Sequence, residues 1–252
     1  MTTLQELGDY CAQLLDIERF QDYCPNGIQV EGRSRIETLV SGVTACQPLI
    51  DAAVDCGADL ILVHHGYFWR GEDPCLTGMK RRRLKTLLMH NIGLLAYHLP
   101  LDAHPELGNN ARLGARLGWV VEQVFAAGKG PALGCATRLD APMAPDRLKR
   151  MLARVLDREP LHIDAGPGQI ERVGWCTGAA QDHLEAAAQI GLDAFVSGEV
   201  SEQTVHVARE YGIHYYAAGH HATERYGVQA LGDHLAQCFG LTHRFVDIDN
   251  PV

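Results

Sequence analysis

Two stretches of this chain, 134 residues apart, carry the same pattern, and that repetition limits the folds open to it more than any other feature. Gly57-Ala58-Asp59-Leu60 aligns with Gly191-Leu192-Asp193-Ala194 at the offset from 57 to 191. In the first copy, Leu39-Val40-Ser41-Gly42-Val43-Thr44 reads as a buried strand. Pro48 suits the first turn of a helix carrying Leu49, Ala52, Ala53 and Cys56 on one side, and Asp59 to Val63 reads as the next strand. In the second copy, Val173 to Gly178, a helix carrying Ala186-Ala187-Ala188, and Gly191 to Val196 mirror residues 40 to 63. Strand, helix, strand in this order implies parallel pairing through a right-handed crossover. Each copy continues into a further helix and strand: Met79 to His90 then Ile92 to Tyr97 in the first, and a strand Ile213 to Ala217 in the second. The expected fold is therefore α/β, with two similar interlinked lobes, mainly parallel sheets, and a cleft at the strand carboxyl ends between them.

The first lobe is placed at residues 1–128, completed by about 218–252, and the second at 129–217, because Gly128-Lys129-Gly130-Pro131 is the clearest punctuation in the chain. Ahead of the first strand, Thr3 with Glu6 forms a capping-box pattern that opens an amphipathic helix through Leu4, Leu7, Cys11, Leu14 and Leu15. Asn109 reads as the cap of a helix through Leu113 and Leu117, and Pro145 opens one with Leu148, Leu152 and Leu156 on its apolar face.

Composition removes several function classes. Apolar residues make up 46% and charged residues 21%, so the chain can bury a core throughout and disorder is excluded. Lys+Arg 22 against Asp+Glu 31 gives a net charge of −9, which argues against a broad grip on nucleic acid or an anionic membrane. Glu6 and Asp9 stand where a signal peptide would need an apolar run, and the longest apolar stretches are strand-sized, so a cytoplasmic protein is expected. The 8 cysteines form no C-x-x-C pair, and most read as small buried hydrophobes.

In open α/β sheets, ligands gather beyond the carboxyl ends of the strands. Val63 is followed by His64-His65-Gly66, Tyr97 by His98 and then Asp102, and Gly219 by His220-His221 and then Glu224. Val196 is followed by Ser197-Gly198-Glu199. Neutral imidazoles mixed with carboxylates are the ligands that zinc, manganese and iron(II) accept. So many donors exceed what one catalytic ion takes from protein, which favours a pair of ions. Adjacent His64 and His65 would diverge on a regular strand. Beyond the last ladder residue, with Gly66 loosening the backbone, both can turn into one cleft. The remaining histidines, among them His162 and His214, read singly as surface or hydrogen-bonded core groups.

These motifs, with Gly108-Asn109 between them, resemble the GTP cyclohydrolase I type 2-like family, also called NGG-one-interacting-factor-three homologues, over nearly the whole chain. The resemblance implies that His64, His65, Asp102, His220 and Glu224 bind two divalent ions, whether zinc, iron, manganese or magnesium, and leaves His221 a neighbour. It also implies a two-lobed subunit assembled as a ring-shaped homohexamer, a toroid with its metal sites facing an internal cavity. The implied activity is hydrolytic opening of a purine nucleotide's imidazole ring by a metal-activated water. The early motif departs from the family's Asp-Asn-x-Gly: it reads Cys24-Pro25-Asn26-Gly27, with no acid at position 24.

Outside the implied ligands, His98 is either a general acid/base, a donor behind the metal site, or a structural hydrogen-bonding group. Glu199, at the offset position of His65, either orients a metal-bound water or starts a helix. Thr44 either touches substrate or caps the helix that follows it. Lys80-Arg81-Arg82-Arg83 with Lys85 is a solvated helix face or an attractor of a phosphorylated substrate. A non-catalytic metal-binding scaffold is the rival to the hydrolase, and a DNA-threaded ring is disfavoured by the net charge.

Overall fold

The computed structural model describes residues 2–128 and 130–252. In chain order it runs β1 (Thr2–Thr3), α1 (Leu4–Leu14), β2 (Gly27–Val30), β3 (Arg35–Ile36), β4 (Thr38–Thr44), α2 (Gln47–Asp55), β5 (Leu60–His65), α3 (Gly78–His90), β6 (Gly93–Ala96) and α4 (Leu99–Ala103). There follow α5 (Asn109–Leu117), β7 (Gln123–Phe125), β8 (Gly134–Met143), α6 (Pro145–Leu156), β9 (Leu161–Ile163), β10 (Ile170–Trp175), α7 (Leu184–Gln189), β11 (Ala194–Ser197), α8 (Glu202–Tyr211), β12 (His214–Ala217), α9 (His220–Phe239) and β13 (Thr242–Phe245). The chain divides into two compact units, Met1–Gly108 with Gly227–Asp249, and Asn109–Tyr226 with Asn250–Val252.

The first unit holds a five-stranded sheet in the order β13-β4-β5-β6-β2. The pairs β13/β4, β4/β5 and β5/β6 are parallel, and only β2 runs antiparallel, against β6. Alternation along the strands sends Leu39, Leu60, Leu62 and Leu95 to one face, where Leu4, Leu7 and Cys11 of α1 and Val228, Leu231 and Leu235 of α9 cover them. Val40, Ile61, Val63 and Leu94 face the other way, under Leu49, Ile50 and Ala53 of α2 and Leu84 and Leu87 of α3. The capping box closes both ways on α1: Thr3 Oγ1 accepts from the Glu6 amide, and Glu6 Oε2 accepts from the Thr3 amide. The basic run from Lys80 to Lys85 lies on α3.

The second unit has the sheet order β7-β8-β10-β11-β12-β9. Only β10, β11 and β12 are mutually parallel, while β7, β8 and β9 pair antiparallel. This sheet is mixed where a mainly parallel one was expected. For β7 and β8 the reason is local: they are joined directly without a crossover helix, and such a connection returns the chain antiparallel. Gly128 and Gly130 lie in that β7–β8 connection, and Lys129 lies outside the described residues. The units divide earlier, at Gly108, because Leu113 and Leu117 of α5 pack with Trp119, Trp175 and Leu148 in the second unit's core. Helices cover both faces here too, with Leu184, Ala187 and Ala208 packed against Phe195 and Tyr215.

The 134-residue repeat carries into hydrogen bonding. Asp59 Oδ2 accepts from the amides of Glu37 and Thr38 at 2.9 and 3.0 Å, and Asp193 Oδ2 accepts from those of Glu171 and Arg172 at 2.8 and 2.9 Å. Just before each aspartate, Gly57 and Gly191 take φ of +63° and +76° to end the helix, a conformation that penalises a Cβ. Each aspartate thus pins the start of its own strand to the start of the preceding one.

Candidate functional site

In the first unit the ladder pair Thr44/His65 extends β5 through His65, two residues past Val63, where the strand was expected to release the double histidine. Neighbouring acceptors set the two rings instead. His64, fully buried, has Nδ1 2.9 Å from the carbonyl oxygen of Tyr97. His65 has Nδ1 3.1 Å from Thr44 Oγ1, so the hydroxyl at the end of β4 holds an imidazole. His98 stands just before α4, with Nδ1 2.8 Å from Asp22 Oδ1. The ring centroids of His64 and His65 lie 4.6 Å apart, and those of His64 and His98 5.1 Å apart. Ligand atoms of His64, His65 and His98 all fall within 4.8 Å of one another, which is a group that could hold a metal ion. Asp102, buried in α4, presents Oδ1 at 3.5 Å from His64 Nε2.

Asp22 is the residue that sequence reasoning missed. Its Oδ2 accepts from the Leu99 amide and from Asn26 Nδ2, and Asn26 Oδ1 accepts from the His98 amide. Burial works against the charged form of Asp22, but bonding to His98, Asn26 and the Tyr23 amide outweighs it and brings the carboxyl down to about 2. Two residues before Cys24, Asp22 thus sets a carboxylate against His98. Cys24 itself, pushed up to about 12 by burial and then by Asp22, is a poor thiolate ligand.

In the second unit His220 opens α9. Its Nδ1 lies 2.7 Å from Glu199 Oε1 and its Nε2 3.0 Å from Glu224 Oε2, one helical turn further on. Glu199 therefore orients an imidazole, and the helix α8 starts only after it, at Glu202. Burial alone would lower the His220 pKa, but the carboxylates of Glu224 and then Glu199 on its two nitrogens raise it to about 9.

The loop after β10 is shaped around this pair. A Cβ on Gly178, whose φ is +69°, would sit 2.1 Å from Glu224 Oε1 and 3.3 Å from His220 Nε2. Thr223 Oγ1 accepts from the Gly178 amide, Ser197 Oγ donates to the Gly178 carbonyl, and Asn110 Oδ1 accepts from the Thr177 amide. The 134-residue offset maps Gly178 onto Thr44, which is the one sequence signal that could have singled it out.

The four imidazoles share one device: each has Nδ1 against an oxygen, namely Tyr97 O, Thr44 Oγ1, Asp22 Oδ1 and Glu199 Oε1. A carbonyl or carboxylate can only accept, so the proton of His64 and His98 is assigned to Nδ1 and Nε2 is left to bind a cation, whereas His220, with a carboxylate at each nitrogen, carries protons on both and must give up the one on Nε2 to bind one. The donor set, imidazole Nε2 with Asp102 and Glu224 carboxylates, fits a divalent ion that takes N and O ligands. By contrast, Ser41, His243 and Asp233 align at 2.7 Å and 2.7 Å like a hydrolytic triad, yet Ser41 is wholly buried inside β4 and no substrate reaches it.

Among the described residues, no helix is long and apolar enough to cross a membrane. The profile of the Duf34/NIF3 (NGG1p interacting factor 3) family matches residues 2–251. A Pseudomonas aeruginosa protein named GTP cyclohydrolase 1 type 2 homolog is 56% identical over 251 residues, covering 100% of this chain and 98% of its own. An Allochromatium vinosum protein of the same name is also 56% identical, with the same coverage of both chains. A solved structure described as "protein ybgI, unknown function" is 49% identical with a TM-score of 0.95, covering 99% of this chain and 100% of its own. A full-length profile match joined to relatives sharing half their residues leaves no alternative assignment: the chain belongs to the Duf34/NIF3 family.

Proposed function

We propose that this protein is a dinuclear metal-dependent hydrolase, with His64, His65, Asp102, His220 and Glu224 as ligands to two divalent ions. The observation that carries the proposal is the tethering of Nδ1 of His64 and His220 to oxygens that can only accept, which fixes each ring's rotation with Nε2 towards the Asp102 and Glu224 carboxylates, while the Thr44 hydroxyl holds the His65 ring at Nδ1. Such ions would lower the pKa of a coordinated water towards neutrality and polarise the bond under attack. His98 is the proton carrier. Asp22 holds its Nδ1–H and fixes the ring's tautomer and rotation, so Nε2 can take a proton from the attacking water and hand it to the departing ring nitrogen. The substrate is a purine nucleotide whose imidazole ring is opened: a C–O bond forms, a C–N bond breaks, and the nitrogen leaves protonated. The name shared by the relatives supports that substrate. The chain assembles as a ring-shaped homohexamer, on the same family grounds.

Anomalous diffraction and elemental analysis on protein purified without added metal test the ligand set. Two peaks at the named side chains are expected; a single peak, or none after soaking with manganese or zinc, rejects it. His98→Ala should keep both ions and lose release of the ring-opened nucleotide. Wild-type protein that keeps both ions and opens no purine nucleotide is a metal-binding scaffold, and the hydrolase proposal then fails. Light scattering at other than six chain masses rejects the hexamer.

A further inference from the structure

A second histidine cluster stands in the second unit, on the edge strand of its sheet. His162 lies on β9 directly opposite Tyr216 of β12, and its ring stacks on that tyrosine at 4.3 Å and 4°. His214, two residues before Tyr216 on the same face, is almost wholly buried. Its Nε2 lies 2.8 Å from the carbonyl oxygen of Pro167, an acceptor, so Nε2 carries the proton and Nδ1 the lone pair. That Nδ1 lies 3.2 Å from His162 Nε2 and 3.3 Å from Asp164 Oδ1.

We propose that His162, His214 and Asp164 form a separate binding site for one divalent ion of the zinc class, with His162 Nε2, His214 Nδ1 and an Asp164 carboxylate oxygen as ligands. Two of the three ligand separations suit it. Zinc–nitrogen and zinc–oxygen bonds of about 2.0–2.1 Å in a tetrahedron put neighbouring ligand atoms about 3.3 Å apart, and the two separations are 3.2 and 3.3 Å. The three ligand atoms lie within 4.8 Å of one another, and none belongs to the residues proposed for the hydrolytic ions. Tyr216 fixes the plane of the His162 ring, Pro167 fixes the tautomer of His214, and the side chain of Asp164 is largely exposed and can swing to close the third corner. The Gly166 amide also reaches His214 Nδ1, at 3.3 Å, a long contact that the ion would displace. Two imidazoles select zinc, copper, nickel or iron over magnesium or calcium. Three protein ligands leave a fourth position to water, which makes this an open site rather than a closed structural one.

Equilibrium dialysis of the full chain against buffered free Zn²⁺, read as zinc ions per chain, tests the proposal. Wild type should hold one ion more than His162→Gln, and Asp164→Asn should bind that ion at least about tenfold more weakly, the low end of what losing even an outer partner of a ligand costs. Asp102→Asn should retain it, which separates this site from the hydrolytic pair. Equal zinc content in wild type and a folded His162→Gln chain overturns the proposal. So does an extra ion whose binding leaves the His162 and His214 ring signals unmoved in NMR spectra. Asp164→Asn changes no packing, so the comparison stands even if His162→Gln fails to fold.

Discussion

The His220 ring ties proton binding, stability and metal binding into one pH window. In the metal-free chain it sits between Glu199 and Glu224, and its pKa rises from 6.5 to about 9. At about 1.4 kcal/mol per tenfold change, this is about 3 kcal/mol of preference for the charged ring. Because the folded-state value lies above the unfolded one, that stability is fully present below about pH 6.5 and is lost as pH rises through about 9. Metal affinity moves the other way, since an ion at Nε2 must displace the proton. At pH 7 only about one ring in 100 is neutral, so apparent affinity for Mn²⁺ or Zn²⁺ should climb about tenfold for each pH step from 7 to 9 and level off above it. NMR titration of the His220 ring in chelator-treated protein reads the first quantity, and calorimetric metal titration reads the second. Glu199→Gln removes one of the two carboxylates: the ring's pKa should fall, and affinity at pH 9 should drop about 10- to 100-fold with the lost tether. A ring that titrates at or below 6.5, or an affinity flat from pH 7 to 9, would refute the reasoning.

Gly178→Ala leaves every proposed ligand in place but puts a methyl where the Glu224 carboxylate lies, at a φ of +69°. It should cost about 1–2 kcal/mol of stability and most of the metal content; full metal retention by elemental analysis would show that the carboxylate does not need that position. Asp22, with its folded value brought down from 3.8 to about 2, contributes stability that is present above about pH 4 and lost as pH falls through 2. Asp22→Asn should therefore flatten the acid limb of stability against pH by about 2 kcal/mol, and an unchanged limb in acid denaturation would count against the His98–Asp22 pair. Asp59→Ala and Asp193→Ala each strip two backbone amides of a charged acceptor and should each cost about 3 kcal/mol in denaturant titration. A cost below about 1 kcal/mol at either would break the equivalence of the two copies.

What the sequence revealed and what it hid follow from how far apart the interacting groups lie along the chain. The parallel core was legible because Pro48, Gly57 and Asp59 act within a few residues of the strands they punctuate, and the offset repeats the last two at Gly191 and Asp193. The Asp22–His98 bond spans 76 residues and leaves no local trace. Helix α9 was hidden for another reason. Ala222 and Tyr226 on it pack in the second unit's core, and Val228, Leu231 and Leu235 in the first unit's. At about 100° per residue, the step from Tyr226 to Val228 turns the apolar stripe by about 200°, so no single amphipathic face runs through the helix for periodicity to find. That missed helix changes the meaning of the four-residue spacing. His98 and Asp102, like His220 and Glu224, looked like carboxylates trailing a strand end, but Asp102 lies in α4 one turn after His98, and Glu224 lies in α9 one turn after His220. Residues so spaced share one side of a helix with Cβ atoms about 5–6 Å apart, so the histidine and the acid are set by the same turn of backbone. A substitution that unwinds either first turn should therefore remove both donors together, while one that alters only the strand before it should leave their spacing intact.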